Sequence, residues 1–179
     1  RVGAVLSLRL LLAVLLWGAA SLVATAVIDD AATRGSVIRY AAALIPTAFL
    51  LDWFFAGREQ FGAVGASKLV NAVVYGVSVL ILVHSSGDLL LTPVAFIIGL
   101  VFSAGLLAIL YRTRFGRIAM RWDPRAWKRI ATANAPVGLA VFLGQNVINL
   151  PPIVIGSLAG AAAAGQFSVA LKLVFALLM

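Results

Sequence analysis

Long apolar runs, each about the length of a membrane span, dominate this chain and leave few choices of fold. Five can be placed by hydropathy: about Leu10 to Ile28, Val37 to Phe55, Val64 to Val83, Leu89 to Tyr111, and Val137 to Leu158. At 1.5 Å per residue, a helix of about 20 residues covers the roughly 30 Å hydrocarbon core of a bilayer. Within hydrocarbon every backbone N–H and C=O has to be satisfied inside the protein, which leaves helices or a closed barrel. Runs of this length without alternation are helical, so the fold class is an all-α integral membrane bundle. The composition agrees: 63% hydrophobic and 11% charged, against about one quarter charged in an ordinary globular domain.

Between the fourth and fifth runs lie seven basic side chains, Arg112, Arg114, Arg117, Arg121, Arg125, Lys128 and Arg129. Membrane proteins keep their excess Lys and Arg in cytoplasmic loops. Arg1, Arg58 and Lys68 fall on the same side as this cluster, whereas the opposite side has Arg34 and Arg39 and two connections, 84–88 and 159–165, without Lys or Arg. The first span is therefore expected to start in the cytoplasm. Topology also accounts for most of the +8 net charge, which removes the reason to expect nucleic acid as a partner.

The longest connection is the natural boundary between bundles. Residues 1–111 read as part of an N-terminal lobe of four spans, 112–133 as a basic cytoplasmic linker, and 134–179 as the start of a second lobe. Trp122-Asp123-Pro124 has the pattern of a helix N-terminus. Trp122 and Trp127 are placed to lie at headgroup level, with the cations facing anionic inner-leaflet lipid. The final run, from Gln166 to Met179, is shorter than a span, so the chain is expected to be a piece of a longer protein, with about half of any cavity elsewhere.

Polar residues inside apolar runs are the candidates for function, because ionisable groups at membrane depth usually face a protein interior or an aqueous cavity. Arg9 and Arg39 lie near span ends, within snorkelling reach of water. Asp52 is close enough in sequence to pair with Arg58. Lys172 stands inside the last apolar helix, where a cation expects a carboxylate or a phosphate. Gln145 and Asn149 share a helix face with Asn146 beside it, and carboxamides suit sugar hydroxyls. Asn71 is a weaker case of the same kind. Pro46 and the pair Pro151-Pro152 are expected to bend their spans and free carbonyls. The small residues Ala95, Gly99 and Ser103, and the pair Gly156 and Gly160, are spaced for close helix contact.

The chain has no cysteine, which excludes disulfides, thiolate metal sites and a cysteine nucleophile. Its one histidine, His84, sits in a turn with Asp88 as the only nearby group that could share a metal. No catalytic constellation, metal site or cofactor is expected, and the chain reads as a non-enzyme.

Two segments resemble a known family. Asp52-Trp53-Phe54-Phe55-Ala56-Gly57-Arg58-Glu59-Gln60-Phe61 is similar to the Trp-aromatic-x-x-Gly-x-Glu segment of bacterial polysaccharide (O-antigen type) flippases, which belong to the multidrug/oligosaccharidyl-lipid/polysaccharide exporter superfamily. Gly156 to Gly160, followed by Gly165-Gln166-Phe167-Ser168-Val169-Ala170-Leu171-Lys172-Leu173, resembles that family's small-residue turn and Gly-x-Tyr-x-x-Ala-x-Lys helix start. The resemblance covers nearly all of the chain and implies spans three to eight of fourteen, in a bacterial cytoplasmic membrane. It implies a flippase that moves an oligosaccharide linked to an undecaprenyl-type diphosphate between leaflets by alternating access, for cell-surface polysaccharide such as lipopolysaccharide. Lys172, Arg9 and Arg39 would then attract the diphosphate, and Gln145, Asn146 and Asn149 the sugar. Trp53, Gly57 and Glu59 match the loop motif, read as structural, with Gly57 allowing a tight turn. Other polysaccharide-assembly membrane proteins are expected partners. The rival expectations are a cation-coupled multidrug exporter, which needs buried carboxylates such as Asp52, and a membrane-embedded glycosyltransferase or polymerase, which needs acidic residues such as Asp29-Asp30 on a loop.

Overall fold

The computed structural model describes residues 2–178, so Arg1 and Met179 lie outside the described residues. All regular structure among those residues is helical: α1 (Val2–Val27), α2 (Ala31–Ala42), α3 (Leu44–Ala48), α4 (Asp52–Ala56), α5 (Phe61–Leu82), a 3-10 turn (Ser86–Leu91), α6 (Thr92–Phe115) and α7 (Pro124–Leu178). Five stretches are long and apolar enough to cross a membrane: α1, the series Ala31–Ala56, α5, α6, and Pro124–Gly160. The protein is a multi-pass all-α membrane protein. Its backbone separates into two compact units, Arg1–Trp127 and Lys128–Met179.

The second span departs from expectation. A single helix bent at Pro46 was expected over Val37 to Phe55; instead the segment starts at Ala31 and breaks twice. The first break is proline chemistry. A Pro46 ring inside a continuous helix would collide with the Ala42 carbonyl four residues earlier, whereas in the first turn of a new helix it is tolerated. α2 accordingly ends at Ala42, and α3 restarts with Pro46 at its third residue. The second break, between α3 and α4, has no proline and depends on a partner helix, described below.

α4 ends in a complete Schellman cap. The Gln60 amide donates to the Phe55 carbonyl at 2.9 Å, and the Glu59 amide donates to Ala56 at 2.9 Å, the paired bonds of that motif. The motif needs one left-handed residue, and here it is Glu59 (φ 58°). Gly57 was expected to make the tight turn, but it has ordinary helical dihedrals (φ −67°). The two hydrogen bonds fix the position of the left-handed residue two places further on.

Packing within the first unit is closest between α5 and α6. Ala95, Gly99 and Ser103 are all buried on α6, as their spacing predicts. At Gly99 a Cβ would lie 2.5 Å from Asn71 Oδ1, 3.0 Å from the Asn71 carbonyl and 3.2 Å from Tyr75 Cβ. Asn71 thus packs at this helix interface, its buried Oδ1 facing the Gly99 Cα in place of a conventional donor. At the linker end, Leu6, Leu51, Phe55, Ala63 and Leu107 form the core. Phe54 is ringed there by edge-on contacts with Phe55, Tyr111 and Phe115. Arg58 caps this cluster, its guanidinium 5.1 Å and 4.6 Å from the Phe54 and Phe115 ring centres. The expected Asp52–Arg58 pairing does not form. Asp52 accepts from Lys68 Nζ at 2.6 Å and from Ser67 at 3.1 Å, because α5 brings both to the first turn of α4.

The basic linker starts as a helix and ends as one. α6 continues through Arg112 and Arg114 to Phe115, and α7 starts at Pro124. Asp123 caps it as its pattern predicts, Oδ1 accepting from the amides of Arg125 and Ala126 at 3.0 and 3.1 Å. The start of α1 is fastened to this segment. The Trp127 indole donates to Ser7 Oγ at 3.1 Å, and the Ser7 hydroxyl donates to the Arg121 carbonyl at 2.6 Å. A side chain at Gly3 would collide with the Ala119 carbonyl.

In the second unit a connection without Lys or Arg was expected over 159–165, with a new helix from about Gln166. The helix instead runs on through Pro136, Pro151 and Pro152, and only Gly160 leaves helical dihedrals (φ 86°, ψ 170°). Prolines keep a helical φ while removing a donor, whereas Gly160 adopts a backbone state that other residues rarely reach. The chain reverses there: a Cβ at Gly156 would meet Ala164 Cβ at 3.4 Å, although eight residues of straight helix span about 12 Å.

Three outcomes test this packing. Gly99→Leu should lower stability by about 1–3 kcal/mol through overpacking, read as a shifted unfolding midpoint in mixed detergent, whereas Gly62→Leu, with open space at its Cβ, should leave that midpoint unchanged. Glu59→Gly should stabilise by about 1 kcal/mol, the order of a left-handed non-glycine residue, in the same assay. Asp30 caps α2, and its carboxyl is held below the usual carboxylate range by the Thr33 hydroxyl and then the Thr33 amide, the latter at 2.7 Å. A depressed carboxyl contributes stability above its ordinary pKa that is lost as pH falls through the lower folded value. Hydrogen exchange at the Thr33 amide, corrected for its intrinsic pH dependence, should therefore lose protection only below about pH 4.

Candidate functional site

The polar residues singled out in the apolar runs fall into two groups, one in each unit. In the first unit, Arg9 is a quarter of the way along α1 and faces the double break of the second span. Its guanidinium donates to the Leu50 carbonyl at 2.7 Å and to the Thr47 carbonyl at 3.0 Å. Thr47 lies near the end of α3 and Leu50 between α3 and α4, where the helical ladder has been interrupted. Arg9 also lines a cavity of about 190 Å³ with Leu12, Ala13, Leu16, Leu44, Thr47 and Ala48. A guanidinium has five N–H donors, so holding two carbonyls leaves others directed at the cavity. Snorkelling to water was the expectation for Arg9; the Leu50 and Thr47 carbonyls offer closer acceptors.

Arg39 is exposed on α2 and donates to the Leu90 carbonyl at 3.1 Å. It ties α2 to the 3-10 turn preceding α6, at the end of the unit away from the basic linker. Arg9 and Arg39 have separate carbonyl partners and no hydrogen bond or ion pair in common. At the same end, Asp88 accepts from the Ser85 hydroxyl at 2.9 Å and from the Ser85 and His84 amides. These bonds hold its carboxyl below the usual range, the Ser85 hydroxyl contributing most. His84 therefore has a backbone part in a turn.

In the second unit, Gln145, Asn149 and Lys172 are exposed and Asn146 is half-buried. Asn146 Nδ2 donates to the Phe142 carbonyl at 2.7 Å, and Asn149 Nδ2 to the Gln145 carbonyl at 2.7 Å. Each asparagine thus satisfies a donor on its own helix, and Asn149 Nδ2 also reaches Gln145 Oε1 at 3.5 Å. Asn149 precedes Gly160 by 11 residues and Lys172 follows it by 12. At 1.5 Å per residue of helix both stand about 16–18 Å from the reversal. The break at Gly160 therefore sets Lys172 deeper in its helix than a start near Gln166 implied.

Two features of the linker end were missed by sequence reasoning. Asp52, Ser67 and Lys68 form a hydrogen-bonded trio, and Arg112 and Arg117 line one cavity of about 350 Å³ with Ala108 and Ile118. The 16-residue separation of Asp52 and Lys68 follows no helical or strand period. Arg112 and Arg117 are likewise indistinguishable from their basic neighbours until the chain turns at Gly116 (φ 89°).

No curated protein and no solved structure matches the chain. The family model described as polysaccharide biosynthesis protein matches residues 2–179. The chain thus belongs to the polysaccharide biosynthesis protein family, within the superfamily of multidrug, oligosaccharidyl-lipid and polysaccharide exporters.

Proposed function

We propose that this chain is part of a flippase that moves a lipid-linked oligosaccharide, of the undecaprenyl diphosphate type, from the inner to the outer leaflet for cell-surface polysaccharide synthesis. The observation that carries the reading is the family match over residues 2–179. Translocation by alternating access needs no covalent chemistry. It needs cations for the diphosphate, polar groups for the glycan, and a path that leaves the lipid tail in the bilayer. Lys172 is the leading diphosphate ligand, since a cation about halfway through an apolar helix calls for an anionic partner. Arg9 and Arg39 are auxiliary cations of the first lobe. The carboxamides of Gln145, Asn146 and Asn149 suit sugar hydroxyls.

The inter-lobe linker, 112–133, is read as cytoplasmic on the positive-inside rule, in a bacterial inner membrane. A cation-coupled drug exporter would require a carboxylate free to titrate within a span, and Asp52 is already engaged with Lys68 and Ser67.

In cells lacking the full-length protein, lipid-linked oligosaccharide should accumulate on the cytoplasmic leaflet, and the wild-type gene should relieve it. Lys172→Ala should lower translocation at least tenfold with membrane insertion unchanged, and Lys172→Arg should restore most of it. Normal export combined with sensitivity to cationic dyes would transfer the assignment to drug efflux. Full transport by Lys172→Ala would remove that lysine from the site.

A further inference from the structure

A further cavity lies in the first unit, apart from every residue assigned to the cargo above. Between α6 and the broken second span lies a cavity of about 380 Å³, walled by Val101, Ala104, Gly105 and Ala108 on one side and by Ile45, Pro46 and Phe49 on the other. Its lining carries no charged side chain. It exists because of two sequence features: Ala104, Gly105 and Ala108 leave the α6 wall shallow, and the α2–α3 break at Pro46 draws the opposite wall away.

Ala108 is shared with the basic cavity of Arg112 and Arg117. Ala104 and Gly105 follow Val101 by three and four residues, Ala108 follows them by four and three, and Arg112 follows Ala108 by four, so they occupy one stripe of α6. From Val101 to Arg112 is 11 residues, about 16 Å of helix, close to half of a roughly 30 Å hydrocarbon core. An apolar groove one leaflet deep thus opens under two cations at the membrane surface. Neither Arg112 nor Arg117 has a side-chain hydrogen bond or ion pair among the described residues, whereas neighbouring Arg114 donates to Gln60 Oε1 at 2.9 Å.

We propose that this groove holds one acyl chain of an anionic phospholipid from the leaflet that carries the basic linker, with the phosphate between Arg112 and Arg117. Charge complementarity selects an anionic headgroup, and groove depth selects an ordinary single-leaflet chain over a long polyprenyl one. The lipid would brace α6 against the break at Pro46 and anchor the linker end of the first unit. The site rests on the membrane reading of the helices and not on the cargo, so loss of the flippase assignment would leave it standing.

The test uses the intact full-length protein, purified in detergent and titrated with phosphatidylglycerol nitroxide-labelled on one acyl chain. Immobilised signal should saturate, and unlabelled phosphatidylglycerol should compete at least tenfold better than phosphatidylcholine. The double variant Arg112→Gln/Arg117→Gln should weaken binding at least tenfold, since each removes an exposed cation near the headgroup. Gly105→Leu, whose added side chain meets open space, should abolish immobilisation of the labelled chain with folding intact. Equal competition by phosphatidylcholine, or wild-type binding by the double arginine variant, would overturn the proposal. Displacement by inorganic phosphate alone would identify a simple anion site, and stronger displacement by undecaprenyl phosphate would assign the groove to the carrier lipid; either result also overturns it.

Discussion

Backbone carbonyls released by a broken helix have to find donors when hydrocarbon surrounds them, and this requirement organises the first lobe. The second span breaks at Pro46 and again before Asp52, leaving the carbonyls of Thr47 and Leu50 partly outside the helical ladder. Arg9 from α1 supplies both with charged donors. An unsatisfied carbonyl in hydrocarbon would cost several kcal/mol; Thr47 also has the Leu50 amide as a donor at 3.2 Å, so Leu50 is the carbonyl that most needs the arginine. The bond fixes the α1–α3 spacing, opens a small cavity beside Arg9, and sets the direction in which α4 enters the aromatic cluster.

From that point the linker end becomes the densely packed part of the lobe. α4 ends in a Schellman cap, Phe54 and Phe55 interlock with Tyr111 and Phe115, and Arg58 covers the rings. The α1 start is held to the linker by Ser7 and Trp127. The opposite end is joined by lighter polar bonds, notably Arg39 to Leu90 and the Asp88 turn.

The sequence made some features plain and hid others for identifiable reasons. Span number and the helical class follow from runs of about 20 apolar residues, since lipid permits no other open structure. The Asp123-Pro124 helix start and the buried face of Ala95, Gly99 and Ser103 were readable because caps and small-residue spacing are local codes. The second break of the second span was not readable, because its stabilising donor is 38 to 41 residues away on α1. Similarly, proximity suggested Arg58 as the partner of Asp52, while α5 delivered Lys68. Gly57 was expected to allow a tight turn, but the hydrogen-bond pattern of the cap put the left-handed residue at Glu59.

By itself, the sequence determined that this chain crosses a membrane as helices, which end of its first lobe carries the cations, and which residues place polar groups at membrane depth. Those properties are set by solvation and short-range periodicity, which one segment expresses alone. Tertiary structure decided which carbonyls Arg9 holds, how Asp52 is neutralised, and that Arg112 and Arg117 share a cavity above an apolar groove. Each of these depends on the distance between groups remote in the chain, and that distance exists only once the helices have packed.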